Sequence, residues 1–510
     1  MRNASRSKKA FINMYMGFAD EIVTLICSLI LPRLILTTFG SEYNGLTSSI
    51  TQFISVIALM KAGIGGVTRA ALYKPLAEHD TYAISAIMRQ TEKFMRKIAF
   101  LFVGFILIFA CIYPTLINHD FDFLFSFSLI LIISMSTFAQ YYFGLSAQML
   151  LYADQRQYIP LIFDIAKTIA NTVVAVIIIN LGFGIHAVKL GSAAVFVITP
   201  ILLNVYAKRR YKIVKHAESD HDLITQRWDA VGHEVANFIN SNTDIMVLTI
   251  FTSLGVVSVY TVYHYVIVSI RKVLANFVTG FGAAFGNMYA RKEYKAMDEN
   301  LRIFELIVFS LSSVIYSVAG VMLTPFVMVY TTGVKGADYF QPVFGIILTL
   351  AGAFSCYRIP YQTITTAVGH YKQTRNGAFA EAGINIVVSI ACVVQFGLVG
   401  VAVGTLAAAI FRTIQYAIYL GKNIIKRNLL LCIKHILIAL AIGVVTYIIG
   451  LSYTGSIKTV FDWIIYAVIT TLIAVALTVV TDFVFYFGDT KRFLGKIKNT
   501  FMRRRKSQNG

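Results

Sequence analysis

Apolar stretches of about 20 residues, the length that crosses a hydrocarbon core of ~30 Å, recur along the whole chain. They fall at 11–38, 45–70, 98–117, 123–150, 159–180, 185–207, 231–252, 257–287, 303–327, 342–367, 378–396, 398–420, 433–451 and 460–487. The pattern predicts an all-α polytopic membrane protein of about 14 transmembrane helices. Arg2, Arg6, Lys8 and Lys9 before the first stretch resemble the start of a signal peptide. That stretch contains Asp20, Glu21, Pro32 and Arg33, and no A-x-A site closes it, so it reads as a retained first helix.

The polar segments between the stretches set an orientation. The N-terminus, 69–97, 151–158, 208–229, 288–302, 369–377, 421–435 and the C-terminal tail carry 35 Lys and Arg, whereas the alternate set carries only Lys335 and Lys458. Cytoplasmic loops hold the excess of basic residues, so both termini are expected in the cytoplasm. The loops of the other set are short, the longest being about 328–341.

A weak internal repeat runs through the loops. Ala153-Asp154-Gln155-Arg156-Gln157 pairs with Gly369-His370-Tyr371-Lys372-Gln373 at an offset of 216, as do Leu72-Tyr73 with Met288-Tyr289 and Gly184 with Gly400. Phe39-Gly40 falls on Leu254-Gly255 at 215. Six helices per copy is an even number, so the copies form a parallel repeat of two six-helix lobes. The expected organisation is an N-terminal lobe over 1–210, a C-terminal lobe over 211–425, and an appended helix pair with a basic cytoplasmic tail over 426–510.

Composition agrees. Of 510 residues, 57% are hydrophobic and only 14% charged, against about 25% charged in soluble domains. That excludes most soluble folds, disorder, collagen and coiled coil. The five cysteines lack CxxC spacing and the nine histidines are scattered, so neither a disulfide framework nor a metal site is expected. No P-loop, zincin or nucleophile-elbow motif occurs, and the external loops offer only His119, Asp120, Asp122 and Asp338. An enzyme is therefore not expected, nor a cofactor beyond a coupling H⁺ or Na⁺. In the tail, Phe493, Ile497 and Phe501 recur every four residues beside Arg503-Arg504-Arg505-Lys506. That pattern reads as a helix on anionic lipid, not as a nucleic-acid site.

The net charge of +20 has two sources. Most of it is the topological excess above. The remainder is eight cations inside spans: Arg33, Lys61, Lys167, Lys189, Arg271, Lys272, Arg358 and Arg412. Each costs roughly 2.5–3.5 kcal/mol at a helix centre, so each must be paired, snorkelling or lining a wet cavity. Asp164 and Lys167 share a face and read as a neutralising pair, while Lys189 snorkels. Arg412 either snorkels or lines the cavity. Arg358 precedes Pro360, a kink site, in a polar stripe with Ser355, Gln362 and Thr366. Tyr260, His264 and Arg271 share one face, as do Thr47, Thr51, Ala58 and Lys61. Among acids, Glu234, Asn237, Ser241 and Asp244 recur at helical spacing, as do Glu381, Asn385 and Ser389. Glu305 lies near the inner surface and reads as solvated.

Four segments carry a family resemblance: Phe39-Gly40-Ser41-Glu42-Tyr43-Asn44-Gly45-Leu46, Leu72 through Asp80, Ala153-Asp154-Gln155-Arg156-Gln157-Tyr158, and Asn242-Thr243-Asp244-Ile245. Over about 11–425 the chain resembles the bacterial polysaccharide-unit flippases (Wzx-type) of the multidrug/oligosaccharidyl-lipid/polysaccharide (MOP) exporter superfamily. The resemblance implies a MATE-like pair of lobes in the bacterial inner membrane. It also implies that undecaprenyl-pyrophosphate-linked oligosaccharide is moved to the outer leaflet by alternating access, with polysaccharide polymerase machinery as a partner. Guanidinium and ammonium groups suit a pyrophosphate. Arg33, Lys61, Arg271, Lys272, Arg358 and Arg412 are accordingly the substrate-binding candidates, and Asp20, Glu21 and Asp244 the coupling-ion candidates. A multidrug or cation antiporter of the same fold and a peptidoglycan-precursor flippase are the competing readings. Antiporters of cationic drugs need acid to dominate their cavity, and here the deep cations at least match the acids.

Overall fold

A computed structural model describes residues 6–61, 64–117, 121–214, 228–278 and 281–495. The described residues are helical throughout, without strands. In chain order the helices are α1 (Arg6–Phe39), α2 (Ser41–Ile54), α3 (Ile64–Glu78), α4 (Thr81–Ile112), α5 (Phe123–Ala139), α6 (Leu145–Ala153), α7 (Tyr158–Asn180), α8 (Ile185–Tyr211), α9 (Trp228–Phe251), α10 (Leu254–Val278), α11 (Phe281–Ala290), α12 (Tyr294–Tyr330), α13 (Pro342–Tyr357), α14 (Ile359–Ala367), α15 (Tyr371–Asn423), α16 (Leu429–Leu451) and α17 (Val460–Phe485). Among the described residues, eleven helical stretches are long and apolar enough to cross a membrane. One of them, α15, is two spans merged across Gly397, whose φ of 51° breaks the helix.

Among the described residues each expected span overlaps helix, but the helices run further than the apolar pattern, and eleven stretches rather than the expected fourteen are long and apolar enough to cross a membrane. Asp80 caps α4 by accepting from the amides of Tyr82 and Ala83, so the helix starts at Thr81 rather than near residue 98. The charged turns ahead of an apolar run are helical because i,i+4 pairs such as Arg302–Asp298 and Arg96–Glu92 solvate them. The expected straight second span is instead broken: Ser55–Lys61 winds as a 3₁₀ helix. Thr47, Thr51, Ala58 and Lys61 therefore cannot be aligned by an α-helical count.

The duplication is written into the connectors. Left-handed residues end equivalent helices at His79 and Lys292, at Gln155 and Gly369, and at Gly182 and Gly397, displaced by 213, 214 and 215 residues. Asp154 anchors one such connector, accepting from Lys9 Nζ (3.2 Å), Arg156 Nε (2.6 Å) and Tyr211 OH (2.5 Å). Its repeat partner His370 meets the Tyr419 hydroxyl at 2.9 Å through Nδ1.

The chain divides into two compact units. Unit 1 comprises Met1–Phe238, Ser253–Ser258 and Gly333–Gly336. Its core is aromatic: Phe53, Phe109 and Tyr113 pack at ring separations of 5.2–6.0 Å, and the buried Tyr113 hydroxyl donates to Ser49 Oγ at 2.8 Å. Here α7 packs against α1 and α8, and α5 against α4 and α8. A π-helical turn, Gln140–Gly144, joins α5 to α6.

Unit 2 comprises Ile239–Thr252, Val259–Thr332 and Ala337–Gly510. Within it α13 packs on α15 and α12, and α16 and α17 pack on α12. The halves of α15 approach backbone to backbone. A Cβ at Gly400 would overlap the Cys392 carbonyl, and one at Gly404 would overlap Ser389. The appended helices are tied down by a buried carboxylate. Glu305, 1% exposed, accepts from Arg427 Nη2 at 2.5 Å, and His435 Nε2 stands 3.8 Å away. Glu305 is thus not solvated, because the 424–428 turn folds back and lays Arg427 over it.

Candidate functional site

Polar residues of α9, α15 and the α13–α14 break in unit 2 join into one network. Its spine is the α15 face read from helical spacing: Glu381, Asn385 and Ser389 are all buried there. Glu381, 5% exposed, accepts from Arg358 Nη1 at 2.5 Å and lies 3.4 Å from Arg412 Nε. It also accepts from Asn240 Nδ2 at 3.0 Å, and Asn240 Oδ1 accepts from Asn385 Nδ2 at 3.1 Å. Arg358 reaches this point because the chain breaks between α13 and α14, where Pro360 removes a backbone donor. The expected kink is present.

Arg412 is 3% exposed. It donates to the Thr374 carbonyl (3.2 Å), Gln415 Oε1 (2.9 Å) and Tyr416 OH (2.9 Å), and lies 4.1 Å over the Tyr416 ring. It does not snorkel. Gly377 leaves the space its guanidinium fills, since a Cβ there would collide with it.

One turn further along α9, Asp244 is 4% exposed and accepts through Oδ2 from Tyr260 OH and Thr405 Oγ1, both at 2.7 Å. Its Oδ1 has no hydrogen-bond partner among the described residues. The Tyr260 ring stacks on His264 at 5.0 Å, as expected for one face of α10. Arg271 lies further along α10. It is partly buried and pairs with no carboxylate among the described residues. Lys272 is exposed.

The remaining candidates belong to unit 1. Arg33 is partly exposed on α1, directly after Pro32. The Lys61 side chain, with Glu234, Asn237, His119, Asp120 and the basic tail, lies outside the described side chains. Asp20 lines a half-open cavity of about 490 Å³ between α1, α5, α6, α7 and α8 with the π turn. Glu21, the adjacent residue, is partly exposed on α1. In the same cavity wall Lys167 Nζ donates to Asp164 Oδ1 at 2.5 Å, so the neutralising pair forms.

Asn240, Thr405, Gln415 and Tyr416 belong to the network and were not read from the sequence. Asn240 and Asp244 are one turn apart, as are Arg412 and Tyr416, and those spacings were the available signal. Thr405 gave none.

No family model and no curated relative matches the chain. Solved structures do. The lipid II flippase MurJ in an inward closed conformation is 14% identical, with a TM-score of 0.65 over 93% of this chain and 99% of that one. An inward-facing multidrug resistance MATE family transporter of the MOP superfamily is 13% identical, with a TM-score of 0.59 over 79% and 98%. The Vibrio cholerae MATE transporter VcmN in the bent form is 14% identical, with a TM-score of 0.53 over 82% and 97%. The chain shares the fold of these three structures and, with eleven helical stretches long and apolar enough to cross a membrane among its described residues, is a multi-pass membrane protein.

Proposed function

We propose that the protein is a flippase that carries undecaprenyl-pyrophosphate-linked oligosaccharide units across the bacterial inner membrane by alternating access, with both termini cytoplasmic. The observation that carries this reading is Arg271, a guanidinium inside α10 with no carboxylate partner among the described residues. Such a group is costly in a membrane segment, and a compact polyanion repays the cost through charge-assisted hydrogen bonds. Arg33, Lys61, Lys272, Arg358 and Arg412 are the further cations proposed to meet the headgroup. The polyprenyl tail stays in lipid. Anionic lipids and a polymerase machinery are the proposed surroundings.

In proteoliposomes, Arg271→Gln should slow transfer of undecaprenyl-pyrophosphate lipid at least about tenfold, the loss of one charge-assisted contact, while the protein still inserts. Arg33→Gln, Lys61→Gln and Arg358→Gln should slow it as well. Wild-type rates in all four variants would remove the assignment. In cells, depletion should accumulate lipid-linked repeat units on the cytoplasmic side.

Asp244, Asp20 and Glu21 are the proposed coupling carboxylates, of which Asp244 is the most enclosed. Ion-flux measurements should show coupling lost in Asp244→Asn or in Asp20→Asn; unchanged coupling in both would exclude the pair.

A second reading, transfer of a lipid-linked peptidoglycan precursor, is favoured by the fold likeness to the lipid II flippase, which extends over 93% of this chain. The two separate by which lipid-linked intermediate accumulates on depletion.

A further inference from the structure

The cavity of unit 1 differs in kind from the cationic cluster. It measures about 490 Å³, and amides, hydroxyls and two aromatic rings line it. Gln140 and Gln148 enter from one side, Thr24 and Thr168 from others, with Phe163 and Phe196 as the rings. The Gln140 amide has no hydrogen-bond partner among the described residues, and the only bond of the Gln148 side chain there is from Nε2 to Tyr152 OH at 3.2 Å.

The backbone around this cavity is irregular at two places. The π turn Gln140–Gly144 puts Gln140 and Gly144 in its wall. Against them lies Pro200, inside the continuous helix α8, where it removes the bond that the Phe196 carbonyl would otherwise accept. The two irregularities fit each other, because a Cβ on Gly144 would stand 2.6 Å from Pro200 Cβ. Unusual backbone at membrane depth persists where it lines a wet cavity, and π turns recur at functional sites.

The lining also selects a ligand class. A pyrophosphate is disfavoured, since Asp20 and Asp164 outnumber Lys167, which is already bonded to Asp164 and lies 5.4 Å over the Phe196 ring. An acyl chain would leave the amides and hydroxyls unsatisfied. Gln and Thr side chains each both donate and accept, which matches a ring of hydroxyls, and the C–H faces of a pyranose pack on aromatic rings. We infer that this cavity is a sugar-binding subsite that takes one pyranose residue of the transported glycan. The inference rests on the flippase reading for its source of sugar and deepens it, by separating glycan recognition from headgroup capture.

The test needs no transport. Full-length protein in nanodiscs is examined by saturation-transfer difference NMR with N-acetylglucosamine, galactose, rhamnose and glucose, and with tetraphenylphosphonium as a cationic probe. At least one sugar should give a signal with the wild type. Gln148→Leu and Gln140→Leu should weaken it by about fivefold to tenfold, as for one lost hydrogen bond, while their thermal unfolding stays that of the wild type. Arg271→Gln should keep the sugar signal while losing lipid transfer, so the two readings can fail separately. No sugar signal in the wild type, a signal unchanged in both glutamine variants, or a signal from tetraphenylphosphonium alone would overturn the inference.

Discussion

Glu381→Ala should lower folding stability by about 3–5 kcal/mol, the usual cost of stranding a buried charge. Two guanidiniums depend on this one carboxylate, Arg358 at 2.5 Å and Arg412 at 3.4 Å. Arg412 keeps its bonds to Thr374, Gln415 and Tyr416, but all of these acceptors are neutral. Removing Glu381 therefore leaves two like charges facing each other without an anion. The double variant Glu381→Ala/Arg412→Met should recover at least about 1 kcal/mol of the loss, since an apolar replacement of a buried ion is near neutral. Unfolding of purified protein in mixed micelles reads both values. A single variant within about 1 kcal/mol of wild type would mean that water already screens the cluster. The functional consequence is separate: Arg358 and Arg412 are held by an internal anion, so a phosphate must compete with Glu381 to engage them, whereas Arg271 faces no such competitor.

Arg427→Met should loosen the start of the appended helix pair. Glu305 is 1% exposed and its ion pair with Arg427 spans from α12 to the turn before α16. His435 is the only other base within 4 Å among the described residues, at 3.8 Å, and its ring is clamped between Phe309 at 5.0 Å and Tyr486 at 4.6 Å. Without Arg427 the carboxylate is stranded at a cost again of about 3–5 kcal/mol. The loss should be local. Hydrogen exchange in α16 and the 424–428 turn should accelerate while α13 and the core of α15 keep wild-type protection. Uniform acceleration across unit 2, or none, would refute the anchoring role. Glu305→Gln in the same background should restore protection, since it removes the stranded charge.

How much of this was legible follows from how far apart the partners lie along the chain. Interactions within one helix could be read: the Asp164–Lys167 pair, the Tyr260–His264 stack, the break at Arg358 and the shared face of Glu381, Asn385 and Ser389 all follow from spacing. The all-helical, many-span character was legible because bilayer thickness dictates the length of each apolar stretch, whereas the number of spans was not: fourteen were expected and eleven stretches, one of them a merged pair, are long and apolar enough among the described residues. Partners on different helices were not legible. Nothing in the local pattern pairs Asn240 with Glu381, Thr405 with Asp244, or Arg427 with Glu305. Snorkelling was a fair expectation for Arg412 from its place near a helix end, and only the hole left by Gly377 shows why it turns inward. Departures from α geometry were hidden too. The 3₁₀ stretch at Ser55–Lys61 and the π turn at Gln140–Gly144 lie in apolar sequence with no proline inside them to announce a change of winding.

The π turn has one more consequence, for rotational phase. An α-helix advances about 100° per residue, and a π turn takes up one residue more than the regular winding. Every side chain of α6 is therefore set about 100° away from where an unbroken continuation of α5 would put it. Gln148 faces the cavity, and Met149 and Leu150 the interior, only because of that offset. Removing a single residue from Gln140–Gly144 would leave composition and hydropathy almost untouched and still turn the whole α6 face. At this position the length of the chain, more than the identity of any one residue, determines which groups the cavity presents.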